Sequence, residues 1–200
     1  MKFTGSKVKK SRALGIALTP KAARLMRKRP NPPGMHGANR RRRKSEYAEQ
    51  LTEKQRLRFQ YNVTEKYMVK LYQKAQATPG PTGQNLIQLL ETRLDAVVLR
   101  GGFAPTIYAA RQMVGHGHVL LNGRKASISS QRVHIGDVVS IREKSRKSDL
   151  FAEVQAGRRS SSAYISVDAS GMEARLDYLP ERSEIPVICE LNLVIEYYNR

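Results

Sequence analysis

Residues 93–122 read RLDAVVLRGGFAPTIYAARQMVGHGHVLLN, and this stretch decides the fold of the region around it. It predicts the end of one helix, a glycine break, a second short helix, and a strand running into a turn. Leu90, Leu94, Val97 and Val98 recur at helical spacing, which gives the first helix an apolar face. Gly101-Gly102 ends that helix, since glycine adopts the left-handed conformation required there. Thr106 is suited to cap the next helix, whose buried face is Ala109, Ala110, Met113 and Val114. Arg111 and Gln112 are left for the outside. Residues 118–121 and 124–128 flank Asn122-Gly123, a pair that tolerates the positive φ angles of a two-residue hairpin turn. The prediction is a helix–helix–hairpin unit with a polar, basic rim and no catalytic apparatus.

Two hundred residues bury about 70% of the surface of the unfolded chain, enough for one large domain or two small ones. The formal net charge is +19, from 36 Lys+Arg against 17 Asp+Glu. Its placement is more informative than its size. Residues 1–45 hold 15 basic residues and no acid, whereas the remaining 155 carry a net charge of only +4. Within those, 91–147 is net +6 and 149–200 net −4. Such a concentration of positive charge suits a polyanion, most commonly nucleic acid.

The single cysteine, Cys189, excludes an internal disulfide framework or a cysteine zinc site, and a reducing compartment is expected. No apolar run approaches the ~20 residues of a membrane span, and residues 14–18 are too short for a signal core. The expectation is a soluble cytoplasmic protein; the acid-free start leaves an organelle address as the minority alternative.

From the N-terminus, Lys9, Lys10 and Arg12 open an extended or locally helical segment, with a short helix over 21–29. Residues 29–34, RPNPPG, cannot be regular structure because their prolines fix φ and remove donors. Arg40, Arg41, Arg42, Arg43 and Lys44 form an unbroken basic run. An isolated run of this kind is usually a solvated tail. Inside an acid-free segment that repels itself, ordering against a partner's phosphates is the better reading. Ser45 and Thr64 are expected to cap helices over 46–60 and 65–76. Lys54 and Arg58, four apart, share a face that is either solvated or a phosphate clamp. Residues 78–83, TPGPTG, form a linker. A strand is expected over 138–141, then a second basic cluster containing Lys144 and Arg146, and short strands over 164–168 and 174–179. In the tail, Cys189, Leu191, Leu193, Ile195 and Tyr197 alternate with Glu190, Asn192, Val194, Glu196 and Tyr198, which predicts a half-buried strand.

Catalytic and metal signatures are weak. His116 and His118 lack a nearby third ligand, so no metal and no cofactor are expected. Gly115-x-Gly117 precedes a strand, whereas a dinucleotide loop follows one. There is no phosphate-binding loop and no nucleophile elbow. Cys189 reads as a small core residue.

Ordered blocks along nearly the whole chain carry a resemblance. They include PPGMHG at 32–37, the 40–44 run, SEY at 45–47, QLTEKQRLR at 50–58, TGQNL at 82–86 and RLDAVV at 93–98. They continue with ARQMVGHGH at 110–118, NG at 122–123, GD at 136–137, KSR at 144–146 and EYY at 196–198. The chain resembles the family of the fourth protein of the small ribosomal subunit, bacterial or organellar type, and its 93–122 stretch the RNA-binding domain named after it. The resemblance implies an α+β fold. A basic N-terminal extension (1–45) and a helical domain (46–90) precede a small α/β RNA-binding domain (91–188), with two helices on a mainly antiparallel sheet. The segment 189–200 would pack back toward the helical part. It further implies a non-enzymatic constituent of the small subunit that binds 16S-type rRNA at a multi-helix junction of the 5′ domain, nucleates assembly and contributes to accuracy. Partners would be that rRNA, the fifth small-subunit protein and messenger RNA near its entrance, with no membrane. Many relatives bind zinc through four N-terminal cysteines that this chain lacks. Gln131 replaces a usual tyrosine, and Gly101 extends the glycine break.

The residues expected at RNA are Lys9, Lys10 and Arg12; Arg40, Arg41, Arg42, Arg43 and Lys44; Lys54, Arg56 and Arg58; Arg111, His116, His118, Asn122, Arg124 and Lys125; and Lys144 and Arg146. The competing readings are an RNA-docking module of an rRNA- or tRNA-modifying enzyme and a message-specific repressor. Residues 149–200 offer an enzyme no catalytic constellation.

Overall fold

The structure, a computed structural model, describes residues 3–37, 45–148, 151, 154, 161–168, 170 and 172–200. The first helices are α1 (Lys7–Leu14), α2 (Pro20–Lys28), α3 (Glu46–Gln60), α4 (Glu65–Ala77), α5 (Thr82–Glu91), α6 (Leu94–Arg100) and α7 (Ile107–Gly115). Strands β1 (Val119–Leu121), β2 (Arg124–Lys125) and β3 (Val138–Ile141) follow, then the short α8 (Glu143–Arg146). Strands β4 (Ile165–Val167) and β5 (Glu173–Leu176) precede the last helix, α9 (Leu191–Tyr198). The chain divides into two compact units, Met1–Gly83 with Val187–Arg200, and Gln84–Pro186.

In the first unit α1 to α4 are each capped by a short hydroxyl side chain. Ser6, Thr19, Ser45 and Thr64 each accept a hydrogen bond from the backbone N–H three residues on, at 3.1–3.4 Å. The N-terminal segment is more ordered than an extended arm. Ser11 is fully buried, and its hydroxyl accepts from the Leu18 N–H at 3.1 Å. Arg12 donates through Nε to the Asn31 carbonyl at 2.9 Å and through Nη2 to that of Pro32 at 3.3 Å, so it fastens the proline-rich turn.

The tail requires a correction: residues 191–198 are the helix α9, not a strand. The same residues satisfy both periods, because Leu191, Val194, Ile195 and Tyr198 also fall at i, i+3, i+4 and i+7. Packing against α3 and α4 decides in favour of the helix. Val194 is completely buried, Tyr198 stacks on Tyr72 with ring centres 5.0 Å apart, and Gln50 donates to Glu196 at 3.1 Å. Cys189 is buried just ahead of this helix.

In the second unit the single helix expected to reach Gly101 is two, α5 and α6, broken at Thr92-Arg93. Arg93 is extended (φ −77°, ψ 143°) and forms an antiparallel bridge with Arg132. The free N–H groups of Leu94 and Asp95 donate to the carbonyls of Gln131 (2.9 Å) and Ser129 (3.1 Å). The apolar spacing runs through the break because both sides of it are buried. Gly102 takes the left-handed conformation, φ 77°. Thr106 caps α7, whose Ile107, Ala110, Met113 and Val114 are buried. Asn122 (φ 49°) and Gly123 (φ 77°) make the two-residue turn between β1 and β2, with Leu121 opposite Arg124. The sheet is antiparallel throughout, in the order β2-β1-β3-β5-β4. The fold is thus α+β. Inside it, Arg100 pairs with the buried Glu91 at 2.8 Å, and the Tyr164 hydroxyl donates to the same carboxylate at 3.0 Å. Burial and that negative charge push the Tyr164 phenol far above its usual pKa. Among the described residues no helix is long and apolar enough to cross a membrane.

Candidate nucleic-acid interface

The structure sorts the expected cations into those built into the fold and those facing solvent. In the first unit Lys54 belongs to the fold. Its side chain is 4% exposed, its ammonium lies 2.9 Å from Glu65 and it sits over the Tyr197 ring at 4.5 Å. Lys54 is therefore not on a solvated face, and its ammonium is paired inside the unit. Arg58 shares Glu65 at 3.7 Å, and Arg56 pairs with Glu53 at 2.6 Å while donating to the Leu14 carbonyl at 2.9 Å. These carboxylates come from Glu53 on α3 and Glu65 on α4, which the spacing of bases alone does not reveal. Lys10 is half-buried, its ammonium over Phe59 at 5.3 Å, whereas Lys9 is exposed. Arg40, Arg41, Arg42, Arg43 and Lys44 lie outside the described residues.

A basic surface not singled out from sequence lies on α2, where Lys21, Arg24, Arg27 and Lys28 are exposed, followed by Arg29. None of them makes an ion pair among the described residues. Lys21, Arg24 and Lys28 fall at i, i+3 and i+7 opposite the buried Ala22, a pattern that was available in the sequence.

In the second unit the cations gather around His116-Gly117-His118. The end of α7 turns here, with His116 N–H donating to Gln112 O at 2.9 Å and His118 N–H to Met113 O at 3.1 Å. Gly117 has φ 74°, and the stem of Lys125 crosses directly over it; a Cβ at Gly117 would lie 2.4 Å from Lys125 Cε. The His118 ring is oriented by the Ser145 hydroxyl, 2.9 Å from Nδ1, and lies edge-on to Phe151. Its carbonyl accepts from the Arg142 N–H at 2.8 Å. The end of α7, the hairpin and the α8 turn therefore converge. Arg124 and Lys125 of the hairpin and Arg142, Lys144 and Lys147 of the α8 segment are all exposed. Arg146 is partly engaged, donating to Ile141 O at 3.0 Å and lying 3.4 Å from Glu173. Beside the histidines, Ala109, Gln112, Met113, His116 and His118 line a depression of about 100 Å³. Gln112 and Met113 were not foreseen as a site from sequence.

Two expected contacts have structural duties. Asn122 uses its amide inside the turn: Nδ2 donates to Asp137 at 2.8 Å, and Oδ1 accepts from the Val138 N–H at 2.9 Å. Partial burial would raise the Asp137 pKa, but the hydrogen bonds from Asn122 and His134 and the nearby His134 ring hold its carboxyl below the usual carboxylate range. Arg111, expected outside, is a correction. Its side chain is only 16% exposed and lies 3.9 Å from Asp95, which is itself buried against Arg93. Helical geometry turns Arg111 toward α6, and Gln112 alone of the two is exposed.

The arrangement supplies paired and exposed cations, hydrogen-bonding imidazoles and an amide, which suit phosphates and bases. Among the described residues there is no group of three or more His, Cys, Asp or Glu placed to hold a metal.

Comparison with known proteins gives the family. The family described as "Ribosomal protein S4/S9 N-terminal domain" matches residues 2–91, and the S4 domain matches residues 92–139. The chain is 52% identical over 198 residues to a Streptomyces avermitilis protein named small ribosomal subunit protein uS4, covering 97% of each chain. Relatives of the same name from Streptomyces coelicolor (50% identical, 97% of each chain) and Leifsonia xyli (48%, 96% of each chain) match as fully. With relatives this similar over nearly the whole chain, the chain belongs to the small ribosomal subunit protein uS4 family.

Proposed function

We propose that this chain is a structural, non-enzymatic constituent of the small ribosomal subunit that binds 16S-type rRNA directly. The observation that supports it most is the meeting of the α7 end, the hairpin and the α8 turn at His116–His118, with the Lys125 stem over Gly117 and the exposed Arg124, Arg142, Lys144 and Lys147 on the same segments. Charge of this kind contributes affinity through phosphate contacts and counterion release, and the fixed corner contributes selection of RNA shape. The exposed bases of α2 and the 40–44 run would extend the phosphate contacts. Asn122 and Arg111 act in this reading by positioning the hairpin and α7.

Family membership carries the finer part of the proposal. The target is a multi-helix junction of the 5′ domain, bound early so that it nucleates assembly. The fifth small-subunit protein and messenger RNA near its entrance are the other partners, with a contribution to accuracy and a cytoplasmic, ribosomal location. Sedimentation tests the core of it. In lysates spun at low and at high salt the protein is expected to travel with the small subunit, and recovery mainly in the free fraction overturns the proposal. Footprinting of the purified protein on small-subunit rRNA tests the junction.

A further inference from the structure

We infer that the depression on α7 is a seat for a single unstacked RNA base, so that this corner distinguishes unpaired nucleotides from continuous duplex. The inference rests on the RNA-binding reading and deepens it at one place.

Five residues define the seat: Ala109, Gln112, Met113, His116 and His118, around about 100 Å³. That is less than the roughly 150 Å³ of an apolar cavity that encloses a whole benzene, so the open depression takes one face or edge of a base and leaves the rest of the ring outside it. The lining has the chemistry of a base platform. Met113 offers a polarizable thioether to a ring face. The two imidazoles lie 6.1 Å apart and tilted by 50°, so they form two walls and not a closed stack. His118 is held by Ser145, so its ring orientation exists before any ligand arrives. Gln112 is exposed, and its amide, with no partner among the described residues, can donate to and accept from a base edge. Charge selects the occupant: Lys125 crosses Gly117 between the two histidines, and its ammonium would hold the phosphate of the seated nucleotide. A duplex cannot use this site, because its bases are stacked and paired; stacking on protein rings is available to single strands, bulges and junctions.

The test uses the full chain with methyl-labelled methionine, titrated with a mixed-sequence single-stranded RNA hexamer and separately with a blunt 12-base-pair RNA duplex. Upfield movement of the Met113 methyl signal is expected with the single strand and not with the duplex. Replacing both exposed residues, Gln112→Ala with His116→Ala, is expected to weaken single-strand binding about tenfold and leave duplex binding unchanged. Backbone signals of Arg124 and Lys125 separate the two ways of failing. If they move with the hexamer while Met113 does not, the base seat is overturned and the RNA-binding reading stands. If neither RNA moves them, both are overturned.

Discussion

Arg93 holds Asp95 with two parallel hydrogen bonds, Nε to Oδ1 at 2.9 Å and Nη2 to Oδ2 at 2.6 Å, and both side chains are almost completely withdrawn from water. The pair sits at the break between α5 and α6, and Arg111 approaches the same carboxylate from α7 at 3.9 Å. Burial raises the Asp95 pKa, and the two guanidinium groups oppose that rise. Removing Asp95 takes from the buried Arg93 its two-pronged carboxylate partner. Asp95→Ala is therefore expected to cost about 3–5 kcal/mol in denaturant unfolding, while a double replacement, Arg93→Met with Asp95→Leu, is expected to recover much of the loss. A double variant no more stable than the single would show that the pair itself sustains the break.

The same geometry revises what an acidic substitution does at Arg111. On an outward side chain, Arg111→Glu would leave a folded protein defective only toward RNA. Facing Asp95, a glutamate adds like charge in a buried site, so a lowered melting temperature is expected before any RNA is added. A thermal scan of the free protein with an unchanged midpoint would contradict this.

Lys54 and Lys125 should separate stability from binding. Lys54→Ala leaves Glu65 without its closest cation and is expected to lower stability by roughly 1–3 kcal/mol. Lys125→Ala is expected to keep stability within about 0.5 kcal/mol. It should also reduce the slope of log affinity against log salt by about one. Filter binding across a salt series, paired with urea unfolding, checks both. A normal slope for Lys125→Ala, or a weakened slope with intact stability for Lys54→Ala, would reverse the assignment.

Asp137 gives the hairpin a pH dependence of definite sign. Its folded pKa is depressed, so its contribution is present above the ordinary aspartate pKa of about 3.9 and is lost as pH falls through the lower folded value. Asp137→Asn is expected to destabilise the protein by about 1 kcal/mol at pH 7, with the gap to the unaltered protein closing as pH falls below the ordinary aspartate range. A gap that stays constant over that range would mean that the carboxylate charge is not what matters there.

The tail offers a direct comparison of two periodicities. Val194 is buried in α9 but points outward in an alternating strand, whereas Leu193 has the opposite assignment in the strand. Val194→Asp is expected to unfold the first unit under mild conditions, while Asn192→Asp, on the exposed side, is expected to change the unfolding midpoint very little.

Local chemistry carried much of the fold. Ser45, Thr64 and Thr106 cap where their side chains say they should, and Asn122-Gly123 turns the hairpin, because these devices involve neighbours within a few residues. The failures are tertiary. The helix break at Arg93 depends on Arg132, Gln131 and Ser129, which lie more than thirty residues away. The helix at 191–198 depends on α3 and Tyr72. For the candidate site, the clustering of bases was legible, but which of them face water was not. Lys54 and Lys125 are the same residue type in basic surroundings, and the positions of Glu65 and Tyr197 distinguish them. The base seat was invisible for a similar reason, since it needs Ser145 to orient His118 across 27 residues.

The return of Val187–Arg200 to the first unit sets an order of completion during synthesis. The second unit is one continuous segment, Gln84–Pro186, and has all its residues before the final fourteen are made. The first unit begins earlier yet finishes last, since α3 and α4 lack the Val194 and Tyr198 face of α9 until residues 191–198 are made. The usual N-terminal-first sequence of domain folding is thereby inverted. A nascent chain stalled short of Leu191 would present a finished RNA-binding unit beside an unfinished helical one.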